Sequence, residues 1–226
     1  MTDNETFFFN PTEEPDGIRI EKGDVVAFER YFSPKGNDII EANSLDNRIG
    51  CSVLLDIMKN VMSDIPEAAT FVFVFSTKEE TDRSDFSDVI RCYGGDFAIV
   101  VDAAYAQPVE FDLTKDLEIE IPILGDGCAM QISGKGFKIE EKIIHEVVNT
   151  AISEGIKLQR ENAPVGFGKT NFAKMLLQGV KAGAVINVPV RDQHQQFSSV
   201  SITDAEEAVL LIGALLKRAG KLGELL

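Results

Sequence analysis

Residues 70–82, "TFVFVFSTKEETD", set five large apolar residues, 71–75, shortly before two adjacent carboxylates, Glu79 and Glu80. An unbroken apolar run rich in β-formers predicts a strand covered on both faces. Two further runs share this character. "DFAIVVDA" (96–103) carries Asp102 near its end, and "AVINVPV" (184–190) is followed by His194. In open α/β sheets the loops at the carboxyl ends of the strands gather polar groups around a crevice, which gives a buried strand a reason to end in acids.

Helical patterns separate these runs. "DNRIGCSVLLDIMKNVM" (46–62) places Ile49, Val53, Leu54, Ile57, Met58 and Val61 at helical spacing. "FKIEEKIIHEVVNTAISEG" (137–155) reads as an amphipathic helix stopped by Gly155, and "TNFAKMLLQGVKAG" (170–183) as another. A weaker helix is expected over 86–93. A final one covers 203–222, with Thr203 or Asp204 as its cap. "LEIEIPIL" (117–124) alternates as a half-exposed strand does, and "IKLQRE" (156–161) is a short strand. Near the start, "IRI" (18–20), "VVAFERYF" (25–32) and "II" (39–40), separated by the turns "EKGD" and "SPKGND", form a small antiparallel β element. The predicted fold is α/β: a three-layer αβα sandwich with a mixed, mainly parallel sheet, preceded by that β element over 1–43, with the main domain over 44–226.

Composition narrows the function classes. The length of 226 residues suits one large domain, and 44% hydrophobic with 26% charged residues is ordinary for a folded globular protein. A net charge of −15 repels phosphate backbones and anionic lipid, so neither nucleic acid nor membrane is an expected partner. Cys51, Cys92 and Cys128 form no C-x-x-C pair, which argues against a disulfide framework or a thiolate zinc site. No basic-flanked leader and no apolar run long enough to span a bilayer is present, so a soluble, cytoplasmic protein is expected.

Asp46, Glu79, Glu80, Asp102 and His194 all fall at or near loop ends of the expected sheet. Asp, Glu and His are the usual oxygen and nitrogen ligands of zinc, and an unligated Glu beside such a site can act as general base. Spacing alone equally allows solvated caps or anions at helix N-termini. "APVGFGKT" (163–170) fits a loose phosphate loop, but no strong buried strand precedes it, so nucleotide binding is not expected.

The runs "GDVVAFERYF", "ANSLDNRIGCSVLLDIM", "FVFVFSTKEET", "DFAIVVDAA", "AISEGIKLQ" and "GKTNFAKMLLQGVKAGAVINVPVRDQH", in this order over about residues 22–220, resemble the glutamyl or tetrahedral aminopeptidase family of co-catalytic metallopeptidases. The resemblance implies peptide hydrolysis with zinc, with cobalt or manganese as possible substitutes. It matches Asp46 to a metal-bridging aspartate and Glu79 to the general base. Glu80 and His194 match ligands of one metal, and Asp102 a ligand of the other. Several departures accompany these matches. No His-x-Asp motif occurs in the early residues, Asn47 stands where a second Asp is usual, Thr81 and Asp82 replace Val-Gly, and Lys169 to Asn171 replace Gly-Thr-Asp. By this resemblance residues 1–43 are the remnant of an inserted β domain and 44–226 a metallopeptidase-like domain. The expectation is an aminopeptidase-like hydrolase on small peptides with one metal position intact and the second depleted. The alternative is a catalytically inactive relative that binds a peptide or partner protein in the same crevice. His145, set among helical apolar positions, is not assigned to metal. The "FFF" at residues 7–9 points to a homo-oligomer.

Overall fold

A computed structural model describes residues 23, 29–65, 69–77, 79, 86–107, 120–162, 168 and 170–226. In chain order the elements are β1 (Phe32–Lys35), β2 (Ile39–Ala42), α1 (Leu45–Asp56), α2 (Phe86–Tyr93), β3 (Phe97–Tyr105), β4 (Cys128–Gly134), β5 (Phe137–Lys138), α3 (Glu141–Glu154), β6 (Leu158–Asn162), α4 (Asn171–Leu177), β7 (Ala182–Arg191), β8 (Ser198–Ser201), α5 (Ile202–Lys217) and α6 (Ala219–Glu224).

The organising strand is β7, buried at every position but its last, as a strand apolar on both faces must be. It pairs with β3 in parallel from Phe97↔Ala182 to Tyr105↔Val190. Its other edge takes β4 and then β8, both antiparallel. β6 and β5 extend the sheet beyond β4, and β2 and β1 extend it beyond β8. Helices α1 and α3 each pack against α5, and all three pack on β7, whereas α2 and α4 pack together with α4 against β3 and β7. Ile143, Val147, Leu211 and Leu215 share one core with Val185, Ile186 and Val188, and water is completely excluded at these side chains. Each such side chain contributes about 1.5–3 kcal/mol relative to exposure.

The expectation of a mainly parallel sheet is overturned. The eight strands form a mixed sheet in which five of the seven pairings are antiparallel, with only β3–β7 and β4–β6 parallel. Two causes are visible. β4, "CAMQISG", went unrecognised because it mixes Gln131, Ser133 and Gly134 with few large apolar residues, yet it runs antiparallel to β7 in the middle of the sheet. The β1–β2 and β4–β5 links are tight turns, which join only antiparallel neighbours.

Other expectations shift in detail. The apolar run at 71–75 belongs to no strand; Phe73 and Val74 pack against the core, while Val72 and Phe75 are exposed. Among the described residues β3 pairs with β7 alone, so the ladder that would have received this run is not formed. The segment read as the turn "SPKGND" is half strand, its first three residues belonging to β1 and the turn being confined to 36–38. Residues 18–20 and 25–28 of the expected early strands, residues 7–9, Glu80, Thr81, Asp82, residues 117–119 and most of the glycine-containing loop at 163–170 lie outside the described residues; of the strand expected over 117–124, the described part, 120–124, makes only isolated bridges at Glu120 and Ile123.

The β1–β2 hairpin is tied to the main sheet and to α5. Asp38 accepts hydrogen bonds from Ser201 Oγ at 2.6 Å, Thr203 Oγ1 at 2.8 Å and Thr203 N at 3.0 Å, which hold its carboxyl below the usual range. The cap of α5 is Ser201, whose hydroxyl accepts from Asp204 N at 3.2 Å, so neither expected cap fills that role. Asp204 instead is fully buried and accepts from Gly125 N at 2.8 Å and Gly127 N at 2.7 Å; burial pushes its carboxyl up to about 6. Among the described residues no helix is long and apolar enough to cross a membrane.

Candidate functional site

The start of α1 departs from helical geometry at the two residues of interest. Asp46 (φ −80°, ψ 110°) and Asn47 (φ −116°, ψ 47°) follow Ser44 in the left-handed region, and the Asp46–Asn47 peptide is cis. The regular helix begins only after Asn47, whose Oδ1 accepts from Gly50 N at 3.0 Å as an N-cap does. The same amide donates Nδ2–H to Val101 O at 2.8 Å, fastening this turn to β3 one residue before Asp102. A carboxylate at position 47 lacks that donor.

His194 comes from the far end of the chain, in the turn that leaves β7. Asp192 and His194 both take left-handed conformations, φ 59° and 60°, which Asp and His tolerate better than most residues. The turn is held by Ser198 Oγ donating to Asp192 O at 3.0 Å and by Asn43 Nδ2 donating to Gln196 O at 2.8 Å. Phe197 packs on Tyr31 with ring centroids 4.3 Å apart. These contacts come from both sides of the turn and fix where the imidazole stands.

The result is a pair: His194 Nε2 lies 3.2 Å from Asp46 Oδ2, with the Asp46 side chain only 14% exposed. Burial raises the Asp46 carboxyl above its usual range, the His194 ring opposes that rise, and the negative charge of Glu79 adds to it. The structure therefore brings Asp46, Glu79 and His194 into one electrostatic neighbourhood. Asp102 lies within β3 rather than at its end, half-buried, its Oδ1 accepting from Ala103 N at 2.9 Å. Glu80 is outside the described residues, and among the described residues no three His, Cys, Asp or Glu side chains gather as a metal-holding group. Asp46 and His194 nevertheless offer one oxygen and one nitrogen donor of the kinds that a zinc-like cation takes.

Two groups of neighbours escaped sequence reasoning. Tyr105, at the end of β3, places its hydroxyl 3.5 Å from His194 Nδ1. In β7, Asn187 is the register partner of Asp102; its Nδ2 donates to Glu161 Oε2 at 2.7 Å and approaches Gln131 Oε1 at 3.5 Å. Burial pushes the Glu161 carboxyl up to about 7. The available signals were the single polar residue inside "AVINVPV" and the tyrosine closing an apolar strand.

Residues 7–211 match the model of the M42 glutamyl aminopeptidases. The chain belongs to this family. FrvX of Escherichia coli (strain K12), provisionally named an aminopeptidase, is 26% identical over 211 residues, covering 92% of this chain and 56% of FrvX. Among solved structures, an aminopeptidase from the archaeon Desulfurococcus kamchatkensis superposes with a TM-score of 0.72 at 23% identity, over 84% of this chain and 52% of that one. The Pyrococcus horikoshii TET1 peptidase, which can assemble into a tetrahedron or a large octahedral shell, gives 0.64 at 20% identity, over 84% of this chain and 53% of its own. At these identities the two structures speak for the fold, an α/β fold of the peptidase type. The M42 chain described here spans about half the length of the relatives it matches. M42 peptidases are generally metal-dependent, in keeping with the Asp46–His194 donor pair.

Proposed function

We propose that this M42 chain is a metal-dependent aminopeptidase-like hydrolase acting on small peptides, with zinc as the metal and cobalt or manganese as substitutes. The observation that carries the reading is the 3.2 Å approach of His194 Nε2 to Asp46 Oδ2, two residues from opposite ends of the chain, inside a family of aminopeptidases. Asp46, Glu80 and His194 would hold one ion, and Asp46 with Asp102 would offer a poorer second position. A divalent ion so held supplies Lewis acidity at the scissile carbonyl. Glu79, beside Asp46, takes the proton of the attacking water and returns it to the departing amine. The depletion of the second position is supported by Asn47, whose amide is committed to Val101 and Gly50.

The test uses a panel of peptides with free amino termini, supplied with zinc, cobalt or manganese, and metal content measured in parallel. Release of N-terminal residues is expected, with Glu79→Gln slowing it by about 10²–10⁴-fold at unchanged metal content. A metal-loaded protein that releases nothing from any peptide refutes the reading. The rival, a non-catalytic relative that binds a peptide or partner protein in the same crevice, draws support from Asn47 and Asn171, amides at the positions where the resemblance sets acids. Peptide binding without turnover would favour it.

Assembly into a homo-oligomer belongs to the same proposal. It is supported by the TET1 relative and by the exposure of Phe32, Ile152 and Leu177, at 67%, 73% and 85%. A cytoplasmic location and a division into a β element (1–43) and a metallopeptidase-like domain (44–226) complete it.

A further inference from the structure

The two nitrogens of His194 face different partners. Nε2 points to Asp46 at 3.2 Å, and Nδ1 lies 3.5 Å from the Tyr105 hydroxyl, with the two rings edge to face at a centroid distance of 6.1 Å. A neutral imidazole carries one proton, so what stands beside Nδ1 influences whether Nε2 is bare. We propose that Tyr105 is a positioning residue whose hydroxyl holds the His194 imidazole in place from the Nδ1 side and serves both of its tautomers. This rests on the metal-site reading above only for its consequence, not for the contact itself.

A hydroxyl is suited to this task because it both donates and accepts, whereas a carbonyl only accepts and an ammonium only donates. With the cation absent, Asp46 accepts Nε2–H and the tyrosine O–H donates to Nδ1. With a cation on Nε2, the imidazole proton resides on Nδ1 and the rotated hydroxyl accepts it. Ligating histidines generally hand their second N–H to an oxygen acceptor, and removal of that acceptor weakens metal affinity about 10–100-fold.

The backbone places both partners without help from the hydrogen bond. Parallel pairing of β3 with β7 sets Tyr105 opposite Val190, so the tyrosine ends its strand beside the turn carrying His194. The turn itself is fixed at Asp192 and Gln196. Both side chains are more than half exposed, 51% for Tyr105 and 57% for His194, so water competes for this hydrogen bond. The geometry gives the tyrosine the advantage of a group already held in position.

The test is Tyr105→Phe, which keeps the edge-to-face ring contact and deletes only the oxygen. The chain has two histidines, so the imidazole ¹⁵N spectrum of the metal-free protein contains only His194 and His145. The expected result is a shift of the His194 Nδ1 resonance toward an imidazole nitrogen without this partner, while His145, on α3, stays in place and reports an intact fold. Zinc titration of the same protein should show affinity falling by about 10-fold or more. An unchanged His194 spectrum overturns the proposal, and so does a shifted spectrum with unchanged zinc affinity. Wild-type protein that takes no zinc sinks the functional reading instead, and the metal-free spectrum still decides the role of Tyr105.

Discussion

Gly50→Ala sets two effects of opposite sign against each other. Gly50 lies within α1, where alanine is favoured over glycine by about 1 kcal/mol, so propensity alone predicts stabilisation. A Cβ at this position, however, falls on the Asn47 side chain, 2.9 Å from its Cγ and Nδ2 and closer still to Oδ1. That amide cannot swing aside freely, because it holds Gly50 N at 3.0 Å and Val101 O at 2.8 Å. Losing both bonds costs about 1 kcal/mol each, and keeping them forces overpacking strain of about 1–3 kcal/mol. Net destabilisation of about 1–2 kcal/mol is expected. With a urea m-value of about 2–3 kcal/mol/M, the midpoint falls by roughly 0.5 M. The double variant Asn47→Ala, Gly50→Ala closes a thermodynamic cycle: with the amide gone, the same Gly→Ala step should stabilise by up to about 1 kcal/mol. A Gly50→Ala protein more stable than wild type refutes the packing argument, and a cycle without coupling refutes the role given to Asn47.

Asp38→Ala should cost about 2 kcal/mol at pH 7 by urea unfolding, given three bonds to a partly exposed carboxylate. Because the folded carboxyl sits below its unfolded value, this contribution is present above about pH 4 and fades as acid protonates the folded group. The gap between variant and wild type should therefore narrow in acid; a constant gap counts against the assignment. Ser201→Ala should cost about 2 kcal/mol through loss of both the α5 cap and the hydrogen bond donated to Asp38, measured in the same way. Glu161 has the opposite linkage. Its folded value of about 7 lies above the unfolded value of about 4.3, so the wild type gains stability as pH falls from 8 to 5. Glu161→Gln removes that titration while leaving Asn187 an acceptor. Stability of the variant relative to wild type should be greater at pH 8 than at pH 5 by on the order of 2 kcal/mol, and equal differences at both pH values would reject burial as the cause.

What the residues disclosed in advance depended on how local their signal was. β7 and β3 were legible because both are apolar runs whose length and composition leave little alternative, and α3 because Gly155 takes the left-handed conformation that ends it. β4 was not, since its polar residues are satisfied by distant partners such as Gly168 O and Asn162 Oδ1, a tertiary fact. The run at 71–75 shows the reverse failure: strong β-propensity without a described ladder to join. At the site, Asp46 and His194 stand 3.2 Å apart and the charge of Glu79 acts on Asp46, while Asp102 sits deeper in its strand than expected. Tyr105 was missed because its meaning comes from register: a tyrosine closing the apolar run "VVDAAYAQ" hints at a polar role, but only the pairing opposite Val190 sets it beside the His194 turn.

The hairpin of β1 and β2 bears on how this chain can be cut or grafted. Asn43, at its exit, holds the His194 turn through Gln196, and Tyr31, at its entrance, packs on Phe197. A protein engineer trimming the chain to begin at the first helix would remove both grips at once, and the imidazole would lose its bearing on Asp46 although no site residue had been touched. The tip behaves differently. A Cβ added at Gly36 meets no atom within 4 Å, so the space beyond the turn is open and extra chain could be spliced there without disturbing the clasp, provided the new turn still accommodates that glycine's left-handed backbone.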